Sequence, residues 1–280
     1  MVATPFSEAD LIQVAQDLPA ASRLLVELGQ TIRNASIESQ AVTALLRQDA
    51  ALVARIIRMA NSAVYARAEP AGSIEEALAC VGFREVHRLV GVVAAAQLAD
   101  QQLRLYGMEA GQLWANALFV AVLMEGLAEI ADEDPPSSYT VGLLRSIGKM
   151  AIERLAEDDV MIMPFAASGE TELEVWEKKH LGITNCEVAE RILQHWRLPH
   201  ETVIAIRQHY HPERRHNPIA HLLNLAAGSA EHRCHGLPGE EAYWKFTPEN
   251  FVRAGVDARQ FQRVTEHSQR TFQRLQAAMA

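Results

Sequence analysis

The stretch Asp49-Ala50-Ala51-Leu52-Val53-Ala54-Arg55-Ile56-Ile57-Arg58-Met59-Ala60-Asn61 carries the helical period that decides the fold. Val53, Ile56, Ile57 and Ala60 recur at three- and four-residue steps and share one face, while Arg55 and Arg58 point away. Asn61-Ser62 closes the run. Asn61 has two readings there: a polar contact to a ligand or partner, or a helix C-terminal cap where Asn tolerates left-handed backbone.

The same period continues in both directions. Thr184 with Glu187, and Ser73 with Glu76, are spaced as capping boxes, in which each side chain satisfies an orphan amide of the first turn. Gly82 supplies a left-handed stop after Val81, Thr247-Pro248 a start with proline at the first helical position, and Asp257 a cap for a helix bearing Phe261, Val264, Ser268, Phe272 and Leu275. The period predicts helices at about 7–17, 20–33, 37–47, 49–63, 74–81, 83–104, 110–131, 138–156, 170–181, 185–196, 200–209, 217–234, 248–254 and 257–278. Leu89 to Ala96 is nearly free of polar residues and should be buried all round. Breaks fall at Ala68-Glu69-Pro70-Ala71-Gly72, Asp132–Ser138, Met163–Gly169 and His211–Pro218. None is long or Gly/Ser-rich enough to be a flexible linker. The expectation is an all-α multi-helix bundle, one continuous domain over 1–280. A seam near residue 105 would divide it into lobes of about 1–105 and 106–280.

Composition limits the function. Among 280 residues, 49% are apolar and 22% charged, ordinary for a globular chain. Net charge is −9, from 26 basic and 35 acidic residues, which speaks against a dedicated nucleic-acid binder. Cys80, Cys186 and Cys234 are odd in number, far apart and without a C-x-x-C pair, so small buried or half-buried thiols are expected. No apolar run of about 18 residues stands out as a membrane span. Met1–Asp10 lacks a secretory pattern. The cytoplasm is the expected compartment, with no cofactor. There is no G-x-S-x-G elbow, no G-x-x-x-x-G-K-[ST] loop and no G-x-G-x-x-G fingerprint.

Several segments in order resemble the HDOD family, the HD-related output domain of bacterial signalling proteins. They are Leu18-Pro19-Ala20, the D-x-x-L…N-S-A run from Asp49 to Ala63, Ser73–Leu78, Gly82-Phe83-Arg84-Glu85 and Leu113-Trp114. Gly142-Leu143-Leu144-Arg145-Ser146-Ile147-Gly148-Lys149, Leu181–Val188, Trp196-Arg197-Leu198-Pro199 and His209-Tyr210-His211-Pro212 complete the set. The resemblance spans roughly 15–225. It implies an all-α, HD-domain-like fold and a regulatory role. It also implies where a metal site would lie, because the related HD phosphohydrolases hold divalent ions with a His-Asp pair in G-L-L-H-D-I-G and further His and Asp residues.

This chain departs at those positions. Arg145-Ser146 stands for the His-Asp pair, Asn116 for the first His and Asn185 for the His of the G-I-x-H element. His209 is left with Tyr210 beside it. Arg145 keeps its charge at any relevant pH. Two unit charges about 4 Å apart repel by about 4 kcal/mol at an effective dielectric of 20, and a divalent ion doubles that. Arg145 would thus oppose a metal. It either attracts a small anionic ligand together with Asn116, or points to solvent or pairs with a nearby carboxylate.

The late histidines, His195, His200, His209, His211, His216 and His221, have two readings. His209-x-His211 with His216 could bind a transition metal; the alternative is ordinary loop and helix histidines, with Glu187, Glu190, Glu201 and Glu213 on solvated faces. Arg55, Arg58, Arg84, His87 and Arg88 read as a solvated basic face. The candidate ligand or partner residues are Asn61, Asn116, Arg145, Ser146, Asn185, His209 and His211. The expected function is a catalytically inactive regulator that binds other signalling proteins. Modulation by an anion, homo-oligomers and a signal delivered by another chain are all compatible with it. The alternatives are a divergent metal-dependent phosphohydrolase of a nucleotide or cyclic dinucleotide, and a nucleic-acid-binding regulator.

Overall fold

The computed structural model describes residues 6–18, 20–32, 39–62, 70–97, 100, 102–157, 162–214 and 217–279. Pro19, Ala63, Ala68, Glu69 and His216 of the motifs above lie outside them. The helices are α1 (Glu8–Asp17), α2 (Ala20–Ile32), α3 (Ser39–Leu46), α4 (Ala50–Ala60), α5 (Ile74–Ala96), α6 (Gln112–Ile130), α7 (Pro135–Leu144) and α8 (Ile147–Leu155). They continue as α9 (Phe165–Ser168), α10 (Leu173–Leu181), α11 (Asn185–His195), α12 (His200–Gln208), α13 (Pro218–His232), α14 (Pro248–Arg253) and α15 (Ala258–Met279). The described residues contain no strand; one isolated bridge pairs Leu103 with Met108. The all-α reading holds.

α6 is the axis of the body. It packs against α7, α13, α15 and α5, and Leu113 and Ala117–Leu123 are buried on every side. It is also long and apolar enough by composition to cross a membrane, which corrects the sequence reading, though 72% of that window is buried inside the protein. α2, α4 and α5 pack together in the N-terminal half. α1 lies on α8 and α11, and α2 on α7, so both reach across the expected seam near residue 105.

The local signals act much as the spacing implies. Thr184 and Glu187 form a full capping box. Ser73 accepts from the Glu76 amide, but Glu76 reaches the Gly72 amide at 2.7 Å rather than that of Ser73. Gly82 interrupts α5 at φ 83° and ψ 165°, a conformation that only glycine adopts freely. Leu89–Ala95 is buried, with Ala96 half-buried. In α4 the buried residues are Leu52, Ile56, Met59 and Ala60, so the stripe sits one step round from the expected Val53 and Ile57, which are half-buried.

Four expectations need correction. Residues 138–156 are not one helix: α7 begins earlier, with Asp134 capping the Ser137 amide and Pro135-Pro136 in the first turn, and it ends at Arg145-Ser146 before α8 begins. The predicted helix 83–104 ends at Ala96. The basic face is partly internal: Arg84 and Arg88 both pair with Glu125 of α6, clamping α5 to it, and His87 is buried. Finally, Cys186 is buried as expected, whereas Cys80 and Cys234 are exposed.

Candidate functional site

The break between α7 and α8 sets up the site. Arg145 ends one helix and Lys149 stands in the first turn of the next, so both project into the same interior space under α6 and α13. Arg145 is 1% exposed and Lys149 is fully buried. What receives them is Glu240, from the turn before Glu241–Tyr243. Arg145 donates from Nη1 to Glu240 Oε1 at 3.1 Å and from Nη2 to Oε2 at 2.9 Å, a two-pronged pair. Lys149 Nζ donates to Oε1 at 2.6 Å, and the Tyr210 hydroxyl to the same oxygen at 2.6 Å. Asn116 Oδ1 accepts from Arg145 Nε and Nη2 at 3.0 and 2.7 Å, while its amide donates to the His235 carbonyl at 2.6 Å. Arg145 also lies 5.7 Å from the centre of the Trp244 ring, and Lys149 5.4 Å from that of Tyr106.

Burial alone would raise the Glu240 carboxyl; the Arg145 and Lys149 charges overcome it and hold the group well below the usual carboxylate range. Burial, reinforced by Arg145, pushes His209 down to about 3, so its imidazole is neutral. His209 Nδ1 then donates to the Ile206 carbonyl at 2.7 Å, leaving Nε2 as an acceptor without a hydrogen-bond partner. Ser146 Oγ is likewise buried without one and lines a small, mostly apolar cavity with Ser22, Ala94 and Leu113.

A second carboxylate lies beside the first. Glu177 of α10 accepts from the Tyr106 hydroxyl at 2.8 Å, the Asn185 amide at 3.0 Å and Asn185 Nδ2 at 3.0 Å. Burial pushes its carboxyl up to about 7, against those donors and the nearby Lys149 charge. The folded state therefore binds this proton more tightly than the unfolded chain does. Its contribution to stability is full below about pH 4.5 and is lost as pH rises through about 7, by on the order of 3 kcal/mol. Thermal melts should show stability falling across that window, and Glu177→Gln should flatten the slope. An unchanged slope in the variant would refute the assignment.

Of the sequence candidates, Asn116 and Arg145 meet directly, and Asn185 joins through Glu177 and its link to Lys149. Ser146 and His209 border the cluster without a hydrogen bond to it. His211 faces elsewhere, pairing with Glu174 at 2.6 Å. Asn61 lies in the other half. It caps α4, but in right-handed rather than the expected left-handed backbone, and its side chain bonds the Ala71 amide and carbonyl at 2.7 and 2.9 Å. His221 is buried against Asn250 at 2.5 Å, and Glu187 and Glu190 pair with Arg207. Sequence reasoning missed Glu240, Tyr210 and Glu177 as site residues. Lys149 alone had a local signal, four positions after Arg145.

The donor set does not suit a divalent ion. The cluster offers one free-standing imidazole nitrogen and two carboxylates, Glu240 already held by a guanidinium, an ammonium and a phenol, and Glu177 by Tyr106 and Asn185. The other positions are cationic, amide or hydroxyl. Among the described residues no group of three His, Cys, Asp or Glu could hold a metal. The fold and site thus define an all-α, HD-like body whose buried cations are held by its own side chains.

The chain belongs to the HDOD domain family, whose model matches residues 18–212. Glu240, the counter-charge of the cluster, lies beyond that stretch. A solved structure of an HDOD domain protein of unknown function from Geobacter sulfurreducens is similar, with TM-score 0.69 and 21% identity, covering 97% of each chain. A Shewanella amazonensis SB2B protein provisionally named a phosphohydrolase matches with TM-score 0.67 and 23% identity, over 97% of this chain and 98% of that one. At these identities the likeness bears on the fold. An uncharacterized protein of Treponema pallidum (strain Nichols) is 25% identical over 225 residues, 78% of this chain; the chain spans 43% of that relative's length.

Proposed function

We propose that this chain is a regulatory protein that acts by binding other signalling proteins and performs no hydrolysis of its own. Membership of the HDOD domain family supports the regulatory role. The observation that carries the rest is the Arg145–Glu240–Lys149 cluster, which fills the interior of the HD-like body with two cations held on one carboxylate, a net positive set that opposes a divalent ion. General acid–base work needs a group near its operating pH and within reach of substrate. Glu240 is held too acidic and His209 too weakly basic, and Glu177, though pushed up to about 7, is fully buried with both oxygens taken by Tyr106 and Asn185. A small anion that modulated the protein would have to replace Glu240 as the counter-ion of Arg145. The Glu240 turn is then the element such a ligand would move.

The test strips the purified protein with chelator, restores Mn²⁺ and Mg²⁺, desalts it, and measures metal content. Turnover is measured with bis(p-nitrophenyl) phosphate, nucleoside triphosphates and cyclic dinucleotides. The expected result is sub-stoichiometric metal and no hydrolysis above that of a protein-free blank. Stoichiometric metal with turnover abolished by chelation would overturn the reading in favour of a divergent phosphohydrolase.

A further inference from the structure

α15 is amphipathic in an unusual sense. Its inner face buries Phe261, Thr265, Ser268, Phe272 and Leu275, partly against α6, where Ser268 reaches the Val122 carbonyl. Its outer face carries Arg259, Arg263, Glu266, His267, Arg270 and Arg274, all exposed, at steps of three and four residues that keep them on one ridge. The ridge runs about 22 Å at 1.5 Å per residue. None of the four arginines forms an ion pair among the described residues; Arg274 bonds only to Thr271 of its own helix, at 3.2 Å. Glu266, the sole acid of α15, accepts from Gln262. The helix therefore carries +3 on a chain whose total is −9, leaving −12 for the rest. Elsewhere in the fold, arginines with a carboxylate in reach have paired with it, as Arg84, Arg88, Arg145 and Arg207 do.

We infer that the outer ridge of α15 is a docking surface for an acidic helix of a partner protein. The inference rests on the partner-binding reading above and supplies the partner's chemistry. Charge complementarity chooses an anion, and the shape of the ridge chooses which kind. It spans about 100° of the helix surface, with neutral Gln262 and Gln273 along one edge. Arginines about one turn apart match carboxylates repeated at the same steps on a facing helix, and guanidinium pairs carboxylate two-pronged. Duplex DNA would bring phosphates against the −12 remainder. A membrane-seated helix needs bulky apolar residues on its outer face, and this face has none between Arg259 and Arg274.

The experiment uses the full chain and two labelled helical peptides of about 20 residues with identical composition. One carries four glutamates on a single face at i, i+4, i+11 and i+15, with a neutral residue opposite Glu266; the other spreads them round the helix. Anisotropy titrations should show the striped peptide binding at least tenfold more tightly than the dispersed one, with affinity falling as salt rises. The combined variant Arg259→Gln, Arg263→Gln, Arg270→Gln and Arg274→Gln should lose tenfold or more, with a thermal melt changed little, because the one side-chain bond these arginines make among the described residues is Arg274 to Thr271 of the same helix. Equal binding of the two peptides, or native-like binding by the variant, would sink the inference. So would tighter binding of a 20-base-pair duplex or of phosphatidylserine vesicles through the same arginines. Such failures leave the non-hydrolytic reading intact, since metal content and turnover test it separately.

Discussion

Glu240→Ala should destabilise the protein by roughly 3–5 kcal/mol, because removing one partner of a buried ionic cluster leaves its opposite charges uncompensated. Here two cations are stranded at once. Arg145 cannot lose its charge, and neither it nor Lys149 has another carboxylate in hydrogen-bond contact. Tyr210 loses the acceptor of its 2.6 Å bond as well. The converse design separates charge balance from packing. Arg145→Met with Lys149→Met and Glu240→Leu removes all three charges while keeping volume, and such replacements are often neutral or stabilising. Urea denaturation of the single and triple variants measures both. A Glu240→Ala loss below about 1 kcal/mol, the range of an exposed pair, would show that the cluster is not the closed interior network described.

Gly148→Ala should cost about 3 kcal/mol, at or above the top of the usual range for overpacking. An alanine Cβ at this position would stand 1.9 Å from the Asn185 carbonyl oxygen, 2.7 Å from its carbon and 3.0 Å from the Ala189 nitrogen. These are backbone atoms of α11, so no rotamer change relieves the clash. Nor can the start of α11 slide away easily, since the Asn185 backbone amide and side chain are both tied to Glu177. Gly72→Ala is the control: its nearest neighbour is the flexible end of Glu76 at 3.6 Å, and a change within about 0.5 kcal/mol is expected. Chemical denaturation of both variants tests the pair. Similar small losses would mean that α8 and α11 are not in the tight contact described.

Local signals account for most of the helices and for little of the site. Thr184-Glu187 and Asp49 announce helix starts because a cap acts on amides two or three residues away, within one readable window. The Arg145-Ser146 break was hidden because apolar periodicity continues through it on both sides. The start at Pro135 falls inside the break expected at Asp132–Ser138, because the first turn needs no amide donors and so accepts proline. Arg84, His87 and Arg88 look like a polar face from sequence alone. Arg88 and His87 turn inward, Arg88 onto Glu125, 37 residues further on, and His87 against Tyr139, while Arg84 reaches Glu125 from the surface.

From the order of its residues alone, this chain is committed to a helical body, to the HDOD pattern and to a cation and amides where an HD hydrolase keeps its metal ligands. Those properties are written in short-range periodicity and in residue identity. The tertiary structure alone decided that Arg145 turns inward to meet Glu240, 95 positions away, and that Lys149 and Tyr210 share that carboxylate. An ion pair across such a distance leaves no periodic trace in sequence, because what selects it is the cost of burying charge alone once the helices have closed around it.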